Sequence, residues 1–278
     1  MFRTTRKKYP FMLGTWPANR HAERSAPLTI ATMPLAPALK AVLKTALLAT
    51  GVMAAFPALA GRPLMTDDAD VVAPGACQIE SWMQRTGNEA PSEKTLWLNA
   101  ACSPVDRTEL GLGGARGVSG IDRGTLTTWQ VKHVIQRYDD VSRGLAVALA
   151  DQRDRRSHRN ALGDTSAIGI ASFPLAGDTL MAHVNAGVTR AWNTDTHRYR
   201  GRGTWSSALD MGVAPRTRAA IEAYGVTGER PAWQVSLRHD VIPDRMQIDA
   251  SAGHTFGRNA ANSIVTVGIV ITTASLLP

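Results

Sequence analysis

From residue 61 onward the chain is a succession of short segments, each about 9–13 residues long, separated by breaks rich in Gly, Pro, Asp and Asn. Helical periodicity is nearly absent, and several segments alternate apolar with polar residues, the period-2 signature of a strand. The segments are Ala76–Gln84, Thr95–Cys102, Thr108–Arg116, Thr125–Ile135, Gly144–Gln152 and Thr165–Phe173, followed by Thr179–Ala191, Arg198–Gly212, Arg216–Val226, Ala232–Val241, Met246–Phe256 and Ser263–Thr273. About 12 strands of this length suit a closed antiparallel transmembrane β-barrel, which needs an even count and ~9–11 tilted residues per crossing.

The connections alternate in kind. Ser103–Asp106, Pro174–Asp178, Ala214–Arg216 and Ile242–Arg245 are tight Pro-containing turns, and Gln136–Ser142 is a longer one. Between them lie the looser polar loops Arg85–Glu93, Arg153–Gly163, Asn193–His197 and Gly257–Asn262. Short turns at one end and longer loops at the other are the asymmetry of outer-membrane barrels, with the turns on the periplasmic side.

One face of Ala232–Val241 carries Trp233, Val235, Leu237, His239 and Val241, and the other Gln234, Ser236, Arg238 and Asp240. A soluble sandwich would turn the apolar face into a core, whereas a barrel turns it to lipid and leaves the polar face in the lumen. The alternative fold is therefore a periplasmic β-sandwich that binds a ligand. The strand count and unequal connections favour the barrel, and aromatics near strand ends (Trp82, Trp192, Trp233, Tyr224, Phe256) suit interfacial girdles. Two segments are awkward, because Leu145–Ala150 and Ile168–Ala171 are apolar on both faces.

Upstream, Met33 is followed by Lys40 and Lys44, an apolar run of about 14 residues from Thr45, and Ala58-Leu59-Ala60 before Gly61. A basic start, a short apolar core and an A-x-A end make a secretory signal peptide spanning residues 33–60. The run is too short to span a bilayer as a helix. Residues 1–32 are then an extension ahead of the true start at Met33, and residues 61–278 the mature barrel. Eight basic residues against Glu23 in the first 60 positions account for +7 of the whole-chain charge of +8, leaving the mature part near +1. The high isoelectric point thus belongs to the leader, and no nucleic-acid partner is expected.

The chain has two cysteines, Cys77 and Cys102. In an exported protein they are expected to pair. They share the parity of the outward-facing residues on adjacent strands, where directly opposed Cβ atoms approach to ~4.5–5.5 Å. The bond would close a loop worth about 3 kcal/mol in chain entropy and pin the first hairpin. Two cysteines without nearby histidines are too few ligands for a metal site.

The stretches Arg62-Pro63-Leu64-Met65-Thr66-Asp67-Asp68-Ala69 and Gly75-Ala76-Cys77-Gln78-Ile79-Glu80, with the later Ile242-Pro243-Asp244-Arg245-Met246-Gln247-Ile248-Asp249, are the most motif-like parts of the sequence. They resemble the outer-membrane β-barrel family labelled as meta-pathway phenol-degradation proteins. That resemblance implies an outer-membrane barrel that passes small compounds; its phenol label is not carried over as a substrate. The chain departs from many outer-membrane proteins in ending Leu276-Leu277-Pro278 rather than in an aromatic residue.

The functional candidates are the charged residues of lumen parity: Glu80, Glu109, Lys132, Glu222, Arg238 and Asp249. They are expected either to line a conducting path or to pair and plug it. His183 and Asn185 on one face, with Ser206 or Ser207 on the neighbouring strand, are a weak candidate for lipid hydrolysis, because no motif marks them. Polar wall lining is the commoner role for such residues, so no catalytic residue and no enzyme activity are expected. Asp67 and Asp68 supply too few oxygens for a calcium site and suit a turn or cap at the barrel mouth. The arginine-rich stretch Arg153–Arg159 could meet lipopolysaccharide phosphates or simply stay solvated. Gly111, Gly113, Gly114 and Gly117 lack the Lys-Ser/Thr step of a phosphate loop and read as close packing. No cofactor is implied. The expected function is passive transport of a small solute or a structural role in the outer membrane, among outer-membrane lipids.

Overall fold

In the computed structural model, residues 62, 64–87, 93–119, 125–138, 143–154, 163–193, 196–257 and 263–276 are described. The leader at 33–60 and the extension at 1–32 lie outside them. Twelve strands follow in order: β1 (Cys77–Thr86), β2 (Glu93–Val105), β3 (Thr108–Ser119), β4 (Thr125–Gln136), β5 (Gly144–Asp154), β6 (Asp164–Ala176), β7 (Leu180–Asn193), β8 (Arg198–Ala214), β9 (Thr217–Val226), β10 (Ala232–Ile242), β11 (Met246–Thr255) and β12 (Ser263–Thr272). Each expected segment overlaps one of them, with ends displaced by at most three residues. Every strand pairs antiparallel with its sequence neighbours, and β1 pairs with β12 to close the ring. Closure leaves no free edge and satisfies the backbone hydrogen bonds within the cylinder, which a chain in hydrocarbon requires.

The hairpins at the end carrying β1's start and β12's finish are tight. Asp106-Arg107 and Pro215-Arg216 are two-residue turns whose second residue is left-handed, with φ of 63° and 61°. Pro215 presets the first position of such a turn. At the other end β7 and β8 run well past their neighbours. Their pairing continues to Asn193↔Arg198, whereas β8 meets β9 only from Thr204. β8 thus outruns β9 by six residues, roughly 20 Å at strand rise, while β7 clears β6 only beyond Arg190.

The apolar residues of the alternation point outwards. Leu98 is 57% exposed, Leu112 70%, Val188 61% and Val267 61%, and apart from the inward Trp97 beside Leu98 their neighbours in sequence are polar or small. Among the described residues no second sheet covers this face, and the one sheet closes on itself, so the sandwich alternative is ruled out. A band of exposed aliphatic side chains around a closed ring is the surface a bilayer covers. Trp129, Trp205, Trp233 and Phe256 are exposed outside. Two of the expected girdle aromatics are not. Trp82 is 3% exposed and Tyr224 7%, because they share the inward parity of Glu80 and Glu222. Trp82 stacks on Trp97 inside the barrel with centroids 5.2 Å apart. Strand-end position alone was a poor guide, since parity decides which side a ring faces.

Cys77 and Cys102 are directly opposed in the β1–β2 register and form the disulfide. Gly113 and Gly114 show why β3 carries glycines. A Cβ at Gly113 would lie 1.9 Å from Asn99 Oδ1, and one at Gly114 2.5 Å from the Leu126 carbonyl.

Candidate functional site

The lumen is not empty space between charged walls. Residues 62 and 64–76, ahead of β1, run inside the barrel as a strap that ends at the turn-side mouth, where Gly75 N donates to Ser103 O at 2.8 Å. Almost every expected lumen residue is there to hold this strap.

At its start, the Arg62 guanidinium reaches Asp249 Oδ1 on β11 at 3.1 Å and Thr266 Oγ1 on β12 at 3.2 Å. It also lies 4.0 Å over the Trp82 ring, and its carbonyl accepts from Gln247 Nε2. Arg62 N donates to Glu80 at 3.5 Å. The Asp249 side chain is fully buried, so the pair is dry. Burial pulls the Arg62 pKa down, and Asp249 opposes that shift. Room for the guanidinium comes from Gly268, where a Cβ would stand 3.1 Å from Arg62 Nε and 3.0 Å from Trp82 Cβ.

One turn further on, the Glu222 carboxylate on β9 accepts from Met65 N at 2.8 Å and from Thr66 N and Thr66 Oγ1 at 2.7 Å each. Gln234 Nε2 donates to the same carboxylate. Charge-assisted bonds from consecutive backbone N–H groups are the strong kind, and they fix the path of the strap. Lys132 on β4 donates to Asp67 at 2.8 Å and to Asp68 at 3.4 Å. With its amide turned so that both ends are satisfied, Asn185 bridges the Asp67 backbone, its nitrogen donating to the carbonyl at 2.9 Å and its oxygen accepting from the N–H at 2.7 Å. Ala69 N donates to Ser172 Oγ at 2.8 Å, and Val72 N to Glu109 Oε2 at 3.2 Å.

The apolar inner faces of β5 and β6 are explained by the same element. Ala146, Ala148 and Ile170 pack with Val134 against Ala69 and Val71 of the strap. Those strands are apolar inside because a piece of the protein, rather than water, covers them.

Five of the six candidates, Glu80, Glu109, Lys132, Glu222 and Asp249, thus touch the strap. The sixth, Arg238, pairs instead with Asp210 on β8, whose other oxygen is held by Arg218 Nε at 3.0 Å. The expectation of a choice between lining and mutual pairing omitted this third partner. Asp67 and Asp68 also move, from the mouth to the lumen, although each still accepts a turn bond, from Asp68 N and Asp70 N. His183 does not meet Ser206 or Ser207. Its Nδ1 is 2.8 Å from Ser172 Oγ, in a site covered by the strap at Ala69. Of the Arg153–Arg159 stretch, residues from 155 on lie outside those described. Among the described residues no group of His, Cys, Asp and Glu is arranged to hold a metal.

Between the strap and the walls of β1–β6 lies a cavity of about 160 Å³. Arg62 and Leu64 to Asp67 form one side, and Glu80, Trp97, Glu109, Gln130, Lys132 and Gln152 are among the wall residues.

The fold is shared with solved porins. A KdgM porin superposes with a TM-score of 0.53 at 9% identity, covering 71% of this chain and 99% of that one. The KdgM porin in complex with disordered oligogalacturonate gives 0.52 at 9%, with 71% and 99% covered. A NanC porin in a rhombohedral crystal form gives 0.52 at 9%, with 70% and 98% covered. No curated protein matches in sequence. The family resemblance drawn from the sequence holds at the level of an outer-membrane-type barrel and not of its phenol label. The family model described as uncharacterised conserved protein UCP029691 matches residues 46–273, and the chain belongs to that family.

Proposed function

We propose that this protein is an outer-membrane β-barrel that admits small solutes by diffusion, with the strap narrowing the lumen and the charges around it setting selectivity. The observation that carries this reading is a closed twelve-stranded ring, apolar outside and polar within. A twelve-stranded ring lies between packed eight-stranded barrels and water-filled sixteen-stranded porins, so an internal segment can decide how much passes. The KdgM porin, solved with oligogalacturonate, supports solute binding as one use of this fold. In this reading the leader at 33–60 is removed after Ala60, residues 1–32 precede the true start, and the tight turns face the periplasm. The exposed Arg190, Arg198 and Arg200 of the projecting β7–β8 ribbon then face outwards, where lipopolysaccharide phosphates would meet them. His183 and Ser172 serve the wall, and no catalytic role is proposed.

Planar-bilayer recordings of the refolded mature chain test this. Steps of conductance that grow when residues 62–72 are deleted are expected. If both forms stay silent, only a structural role remains.

A further inference from the structure

The strap holds many of the polar groups on the inner walls, but three buried polar atoms without a partner lie at the cavity beside it. Trp97, 4% exposed, lines the cavity with its indole Nε1–H unpartnered, and one face of its ring is already occupied by Trp82. Gln152, 5% exposed, lines it with an unpartnered Oε1, as does Asn99 with Oδ1. A buried donor or acceptor left without a partner costs ~1–3 kcal/mol, so three around one void mark a place where a polar guest is recognised.

The charges say which guest. The two cations at the cavity already face carboxylates, Arg62 pairing with Asp249 and Lys132 with Asp67 and Asp68, although Arg62 Nε–H keeps no partner. Glu80 and Glu109 lie on the same walls and each accepts from the strap while keeping lone pairs free. An anion entering here would meet cations already neutralised by carboxylates and two further carboxylates. A neutral molecule bearing several hydroxyls would donate to Asn99, Gln152 and the glutamates, and accept from Trp97. The volume fits one ring, since an engineered cavity of ~150 Å³ holds benzene.

We propose that this cavity binds a neutral, hydroxyl-rich ring of monosaccharide size, a single saccharide unit. The proposal rests on the reading that solutes enter the lumen, and it names the class that is held there.

Ligand-observed NMR titration of the refolded mature chain with D-glucose, D-glucuronate and phenol tests it. Saturable glucose binding is expected, with glucuronate weaker by roughly tenfold or more and phenol not competing. Gln152→Leu and Trp97→Phe each remove one hydrogen bond and should weaken glucose by roughly tenfold. Gln152→Leu keeps the test open if Trp97→Phe fails to form the barrel. No saturable glucose signal, equal binding of glucuronate, displacement by phenol, or folded variants that bind as tightly as the parent would each overturn the proposal. Conductance without glucose binding sinks this site and spares the transport reading; glucose binding without conductance does the reverse.

Discussion

Arg62 is the residue on which the internal arrangement turns. Its partner Asp249 has no exposed side-chain surface, and breaking a buried pair from one side costs ~3–5 kcal/mol because the remaining charge is stranded. Arg62→Ala is therefore expected to lower stability by about 3 kcal/mol in denaturant unfolding of the detergent-refolded barrel. Adding Asp249→Asn should recover much of that loss. If the single variant unfolds at the parent's midpoint, the pair is not dry. At this scale the sequence was half legible. The period-2 parity put all six charged candidates inside, since side chains alternate strictly along a strand. What they bind was not legible, because Arg62 and Asp249 are 187 residues apart and nothing local links them.

Among elements, the strap was the one the sequence reading missed, although two signals were present. The inner faces of β5 and β6 needed apolar cover, and the motif from Arg62 to Ala69 is too specific in residue type for a slack linker. Period analysis detects strands and helices, and an extended segment held by wall side chains has no period. Its docking should respond to pH through Asp70, whose pKa is raised by burial first and by neighbouring Asp68 second, with Lys132 and Arg137 opposing. A carboxyl raised on docking favours the docked strap at low pH, and that support fades as pH climbs through its shifted value, above the usual ~3.9. Asp70→Asn should match the parent's conductance in acid and stay lower than the parent's near neutrality; identical profiles would refute the coupling. The Cys77–Cys102 bond acts on the hairpin next to the closing seam, across a separation of 25 residues. Replacing both with serine should cost about 3 kcal/mol through the unfolded chain. Unchanged unfolding of the double variant would mean that the seam needs no such staple.

For the whole molecule, twelve strands, their order and their facing were readable because one rule, alternation broken by turn residues, repeats along the chain. The choice between barrel and sandwich was not contained in that rule and fell to ring closure by β1 and β12. A lipid-covered exterior makes a sharp prediction. Leu98, mid-strand in β2 and 57% exposed, should tolerate arginine badly, at ~2–4 kcal/mol near the bilayer midplane, when folding into vesicles is measured. A water-facing site would accept the change almost freely. The unheated parent should also migrate apart from the heated protein in SDS gels, and Leu98→Arg should lose part of that folded band.

The ribbon of β7 and β8 that outruns its neighbours has a consequence for how such a cylinder is met. It stands clear of the rim, with Trp192 and Tyr199 edge to face across the pair and Arg190 laid over Tyr199. A cross-braced finger of this kind is a surface that an approaching antibody or phage fibre can grip. An epitope inserted at its tip would therefore report, on intact cells, which way round the protein sits.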